Sequence, residues 1–317
     1  DALDGSRRLL VHGRVVPNLP GDIERMPELA EKWKISAWKT YTQADPAGET
    51  GWWLDDEEHG GKLIEMARKT GVKTICIHKG VPLPTPFMTG KNRKFGGCGD
   101  VGKAARQNPD INFIIYHSGY DLKFRGAEFV PGKHESGRDE IGIDSLIRSL
   151  IDNGVKPNSN VYAELGTTWR YLMKDPNEAA HAMGKLFRYV GEDNVVWGTD
   201  CLFYGSPQPQ IQAFRAFHIS EEFQERYGYP ALTKELTKQI GALKDADLVM
   251  APRDFRDAGD VNLRVRGEVN QLGAKVPRNF PAVLHPGPPP KIAAGASGRR
   301  WASGCLPLPI ADPGASR

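Results

Sequence analysis

The chain has 317 residues, a mass of 35.0 kDa and a formal net charge of +3, with 39% hydrophobic and 26% charged residues. That is room for one large domain or two ordinary ones, and no apolar run approaches the ~18 residues of a membrane helix, so no membrane partner is expected. The basic excess lies in residues 251–317, with 10 Lys/Arg against 5 Asp/Glu; the remainder is near neutral and lacks a basic stripe with interleaved aromatics, so no nucleic-acid partner is expected either.

From the start of the chain to about residue 250, short apolar runs alternate with amphipathic stretches. Strands are expected at Leu9–Val16, Ile35–Thr40, Val72–His78, Ile111–His117, Val161–Leu165 and Val195–Gly198, each rich in Val, Ile, Tyr or Phe. Helices are expected between them, opened near Asp22, Asp55, Asp139 and Asp175-Pro176, with Gly71, Gly154 and Gly191 stopping the last three. Near-continuous apolar strands separated by helices imply a parallel sheet covered on its faces. The preferred architecture is an α/β (β/α)8 barrel lacking its first two β/α units, spanning residues 1–250. Residues 251–317 carry 10 Pro and 8 Gly without a sustained period, which reads as an irregular, disordered tail.

Cys76, Cys98, Cys201 and Cys305 stand far apart without a Cys-x-x-Cys. This suggests neither a disulfide framework nor a zinc knuckle, and favours a reducing, cytoplasmic setting without fixing localisation.

The strongest chemical signal is positional. Lys39, His78, His117 and Asp200 stand at or just after the ends of expected strands, and in a parallel barrel all such ends face one mouth, where active sites gather. Two imidazoles and a carboxylate suit Zn²⁺, Mn²⁺ or Fe²⁺, and an open coordination position leaves room for a water nucleophile. Any one of these residues could merely satisfy a carbonyl or cap a helix; three at successive strand ends favour a shared site. His134, in the loop 118–138, and Trp52-Trp53, after the second expected strand, are candidate substrate contacts, as is the apolar loop 81–88.

Cys76-Ile77-His78, Tyr116-His117-Ser118-Gly119-Tyr120, Val161-Tyr162-Ala163-Glu164-Leu165-Gly166 and Trp197-Gly198-Thr199-Asp200 resemble the amidohydrolase superfamily, in its amidohydrolase-related (amidohydrolase 2) branch. The resemblance covers roughly residues 9–250. It implies a (β/α)8 barrel with one or two divalent metals, and it numbers the expected strands three to eight. His78 then becomes the ligand from strand five, and His117 a second-metal ligand or acid/base from strand six. Asp200 becomes the strand-eight aspartate that orients or deprotonates the water. Lys39 falls where some members carry a metal-bridging carboxylated lysine, and Glu164 could orient a ligand from behind. The family's His-x-His or Glu-x-His of strand one has no counterpart here, and the chain departs from the family near residue 240, as a shifted reading frame would make it.

Gly97-Cys98-Gly99-Asp100-Val101-Gly102 matches a dinucleotide fingerprint and, with Lys103, nearly a P-loop. Residues 90–95 read as loop rather than strand, and Ala104 replaces the hydroxyl that holds Mg²⁺, so both readings weaken. No Gly-x-Ser-x-Gly elbow occurs. The expected activity is metal-dependent hydrolysis of an amide, lactone or ester in a small-molecule substrate, most simply with zinc. A metal-dependent decarboxylase, an inactive truncated barrel and, remotely, a nucleotide-binding oxidoreductase stand as alternatives; a homo-oligomer is compatible with all of them.

Overall fold

A computed structural model describes residues 9–44, 50–81, 90–123, 125–130, 137–241 and 261–265. Strands and helices alternate as β1 (Leu9–Arg14), α1 (Met26–Trp33), β2 (Ala37–Tyr41), α2 (Lys62–Thr70), β3 (Thr74–His78), α3 (Val101–Gln107), β4 (Asn112–Tyr116), α4 (Ile143–Asp152) and β5 (Val161–Glu164). Two helices, α5 (Thr168–Leu172) and α6 (Pro176–Tyr189), then lead to the short β6 (Val195–Val196). After it come α7 (Cys201–Tyr204), α8 (Gln208–Ala216), α9 (Glu221–Tyr227), α10 (Lys234–Gly241) and the strand β7 (Val261–Val265).

β1 to β6 pair in parallel and strictly in chain order. Such an order winds in one direction, as in the wall of a barrel, whereas a doubly wound sheet reverses its strand order at a switch point. Among the described residues the sheet is open, with β6 at one edge and β7 at the other. β7 corrects the expectation of a tail without strand structure: it pairs antiparallel with β1, from Leu9 opposite Val265 to Gly13 opposite Val261. The segment Val-Asn-Leu-Arg-Val has the period-2 alternation of a strand, which the surrounding Pro and Gly content concealed. The rest of 251–317 lies outside the described residues.

Alternation along each strand divides the sheet into two faces. Trp38, Ile75, Ile77, Phe113, Ile115, Val161, Ala163 and Val195 join the main core, together with helix residues such as Leu63, Val101, Leu146, Ile147 and Leu186. Ala37, Cys76, Ile114, Tyr116 and Val196 form a second, smaller cluster on the opposite face, with Tyr162 against it. On that second face the alternation also sets Lys39, His78 and Glu164.

Helix ends follow local chemistry. The Asp175 carboxylate caps α6 by accepting from the Asn177 and Glu178 amides, and Gly71 ends α2 in the left-handed conformation at φ 73°. Asp56, rather than the expected Asp55, caps the turn before α2, accepting from the His59 and Gly60 amides. Asp22 does not cap α1; its carboxylate instead accepts from the Val16 amide at 2.6 Å.

The glycine-rich segment is a packing device. A helical turn, Gly90–Gly96, precedes it in place of a strand, and β3 ends well upstream. Asp100 starts α3, and its Oδ2 accepts from the Leu54 amide and from the fully buried Lys79 ammonium, each at 2.8 Å. The amides that would cradle a phosphate are engaged elsewhere, Cys98 and Gly99 donating to the Glu140 and Arg138 carbonyls and Gly102 to Ser149. A Cβ at Gly97 or Gly99 would strike the backbone at Arg138 and Asp139, and one at Gly102 would strike the Ser149 carbonyl of α4. The Gly102 amide also donates to Ser149 Oγ at 2.9 Å. Gly102→Ala should therefore lower stability by ~1–3 kcal/mol through overpacking of α3 on α4; a urea midpoint equal to the wild type's would contradict this contact.

Candidate functional site

Lys39, His78 and Glu164 reach the second face of the sheet by alternation alone. His117 does not, because the residue after Tyr116 should point back toward the helices with Ile115. The chain turns it instead: His117 and Ser118 take φ of 65° and 52°, a left-handed backbone that non-glycine residues enter at a cost. Asp200, following Trp197-Gly198-Thr199, is likewise left-handed at φ 48°, as is Thr167 after β5 in sign of φ, at 58°. These conformations gather at the C-terminal ends of β4, β5 and β6.

Glu164 holds the turned histidine. Its Oε2 accepts from the His117 amide at 3.1 Å and its Oε1 from the Gly166 amide at 2.6 Å. Ser118 Oγ donates to the Glu164 carbonyl, and Thr168 Oγ1 to the His117 carbonyl, both at 2.8 Å. Glu164 thus fixes the backbone of His117 rather than its ring.

The two imidazoles meet edge to face, with centroids 4.5 Å apart, and His117 Nε2 lies 3.1 Å from His78 Nδ1. His117 Nδ1 is 2.7 Å from the Gly166 carbonyl oxygen, and His78 Nε2 is 3.3 Å from that of Val81. A carbonyl only accepts, so a proton on each outer nitrogen satisfies these contacts and, in neutral rings, leaves the inner two bare. At 3.1 Å the inner nitrogens can share one proton as an N–H···N hydrogen bond, or direct two lone pairs to a metal. Burial holds His78 well below the ordinary histidine range, with His117 and Lys39 adding to the effect against the Val81 and Gly80 carbonyls. Burial also lowers His117, opposed by Asp200 and the Gly166 carbonyl. The 3.1 Å separation is close to the about 3.3 Å that two nitrogens on a tetrahedral zinc subtend.

Asp200 does not join this pair. Its Oδ2 accepts from Thr167 Oγ1 and lies 3.6 Å from His117 Nδ1, on the far side of the ring. Among the described residues no three His, Cys, Asp or Glu side chains form a metal-holding group. The residues present thus fit a two-nitrogen hold on a divalent metal, not a ready-made His78, His117 and Asp200 set. Lys39 is also apart from the pair: its Nζ lies over the rings of Tyr116, at 3.8 Å, and Tyr41, at 4.6 Å. Burial pulls its ammonium down to about 7, against the charges of Cys76, Glu164 and Asp200.

Of the expected substrate contacts, Trp52 is 2% exposed and belongs to the main core. Trp53 packs on Phe95 and beneath the Arg138 guanidinium. His134 and residues 82–89 lie outside the described residues. Thr167, Tyr41 and Tyr116 were not singled out from sequence. Period-2 spacing from Lys39 and Ile114 could have found the two tyrosines, whereas Thr167 carries no sequence signal. No protein-family model matches the chain, and no curated protein matches it significantly.

Burial pushes the Glu164 carboxyl up to about 8, with Asp200 adding to it and the His117 and Gly166 amides and Lys39 opposing. An unfolded glutamate titrates near about 4.3, so between these values the folded chain binds more protons than the unfolded one. Stability contributed by the protonated carboxyl is complete below the lower value and is lost as pH rises through the upper one. Glu164→Gln should flatten that decline in urea-unfolding free energy; an unchanged pH slope would contradict it.

Proposed function

We propose that the chain is an amidohydrolase-like, metal-dependent hydrolase working at the C-terminal ends of β3 to β6, on one wall of a (β/α)8 barrel. The observation that carries this reading is the pair of buried imidazole nitrogens, His78 Nδ1 and His117 Nε2, facing each other at 3.1 Å. His78 and His117 would hold the metal through these atoms, with the Val81 and Gly166 carbonyls favouring the tautomers that present them. A divalent metal there supplies a water of lowered pKa and polarises the substrate carbonyl. Asp200, held by Thr167 beside Nδ1 of His117, would stabilise positive charge on that imidazole and so support its hold on the metal from behind. An amide, lactone or ester carbonyl meets this chemistry equally well. Also in support are the left-handed residues at these strand ends, since backbone strain concentrates where function requires it.

Zinc-loaded protein should retain metal through dialysis and hydrolyse an activated aryl ester or lactone. His78→Ala and His117→Ala should each lose the metal and about 100-fold or more in rate, since even outer partners of a metal ligand cost 10–100-fold. Asp200→Ala should keep its fold and lose turnover. Metal analysis and ester kinetics check all three; full activity in Asp200→Ala would sink the role given to that carboxylate.

A further inference from the structure

Three buried lysines allow a direct comparison. Lys79 donates to Asp100 and to the Phe95 carbonyl at 2.8 and 2.9 Å, and Lys185 donates to Asp144 at 2.5 Å. Lys39 is as deeply buried, at 1% exposure, yet its Nζ meets only ring faces among the described residues. An ammonium has three donors and no acceptor. Aromatic faces attract the charge but offer no lone pair along the N–H directions, so a buried lysine so placed lacks the hydrogen-bonded counter-charge that burial demands.

Glu164 and Asp200 are near enough to favour its charge, but neither is hydrogen-bonded to Nζ among the described residues. The Glu164 oxygens accept from the His117 and Gly166 amides, and Asp200 Oδ2 accepts from Thr167. Arg14, in register with Lys39 on the neighbouring strand, adds a second cationic residue to the same face. The base of Lys39 lies one row below His78, because Lys39 pairs with Cys76 and Tyr41 with His78. Its Nζ nevertheless reaches the ring of Tyr116, which pairs with His78 from the other side, and Tyr41 stacks on His78 at 5.1 Å. A group held by Nζ therefore sits beside the histidine pair.

Resting on the proposed hydrolytic site, we infer that Lys39 binds a carboxylate of the substrate, so that the site takes anionic amides, lactones or esters whose scissile carbonyl is delivered to His78 and His117. The charge-assisted hydrogen bonds are made by the Lys39 N–H groups to the carboxylate oxygens, with Tyr41 and Tyr116 walling the group from water.

The test is run in excess EDTA, so that it succeeds or fails independently of metal hydrolysis. Isothermal titration of the full chain compares benzoate with its neutral isostere benzamide, for wild type, Lys39→Met and Lys39→Arg. The wild type should prefer benzoate by about tenfold or more, the worth of a charged hydrogen bond. Lys39→Met should lose that preference while keeping its benzamide affinity, and Lys39→Arg should retain the preference. Absence of saturable benzoate binding by the wild type, or equal benzoate affinity in wild type and Lys39→Met, overturns the assignment. Should Lys39→Met fail to fold, loss of the preference in a folded Lys39→Arg overturns it, and retention supports it. A carbamate resonance on Lys39 after labelling with ¹³CO₂ also overturns it, because a carbamate would repel the carboxylate.

Discussion

The site depends on the Glu164 carboxylate and the polar stitching around it. At the end of β4 the chain leaves the sheet in two consecutive left-handed residues, His117 and Ser118, each costing of order 1–3 kcal/mol where the surroundings do not impose it. Two amide donors on Glu164, with the Ser118 and Thr168 hydroxyls on nearby carbonyls, over-determine that turn. They also satisfy backbone groups that burial would otherwise leave bare. Without the turn, His117 follows the strand alternation onto the helix side and never meets His78.

A second constraint separates scaffold from site. Lys79 and Lys185 sit among the helices and loops, each closed by a carboxylate. The Lys79–Asp100 pair in particular ties the end of β3 to the start of α3 and, through the Leu54 amide, to the segment after β2. These pairs fix position because removing one partner leaves a buried charge uncompensated. The second face of the sheet shows the opposite pattern, with two ring nitrogens facing each other at 3.1 Å and an ammonium against ring faces. These groups lie together on that face, and the proposed function rests on that grouping.

Much of this was legible in the sequence. All six parallel strands and their order follow from short apolar runs between helical stretches, and the same period of two sets Lys39, His78 and Glu164 on one face. Asp175 and Gly71 announced their helix ends. The rest was hidden for physical reasons. His117 and Asp200 reach their places through left-handed backbone that no pattern encodes, so their strand-end positions suggested convergence without showing that Asp200 lies behind His117. Trp52 read as a mouth residue because sequence cannot tell a core tryptophan from a lining one. The glycines of 97–102 have a motif's spacing but serve close contact with Arg138, Asp139 and Ser149, a tertiary requirement. β7 was masked by the composition of its neighbours.

The central claim is that a divalent cation belongs between His78 and His117, and anomalous X-ray diffraction at the zinc edge from crystals grown with zinc tests it most directly. The account predicts one strong peak at about 2.0–2.1 Å from both His78 Nδ1 and His117 Nε2, with the outer nitrogens still on the Val81 and Gly166 carbonyls. A peak elsewhere, or none with the two rings still hydrogen-bonded to each other, would contradict it.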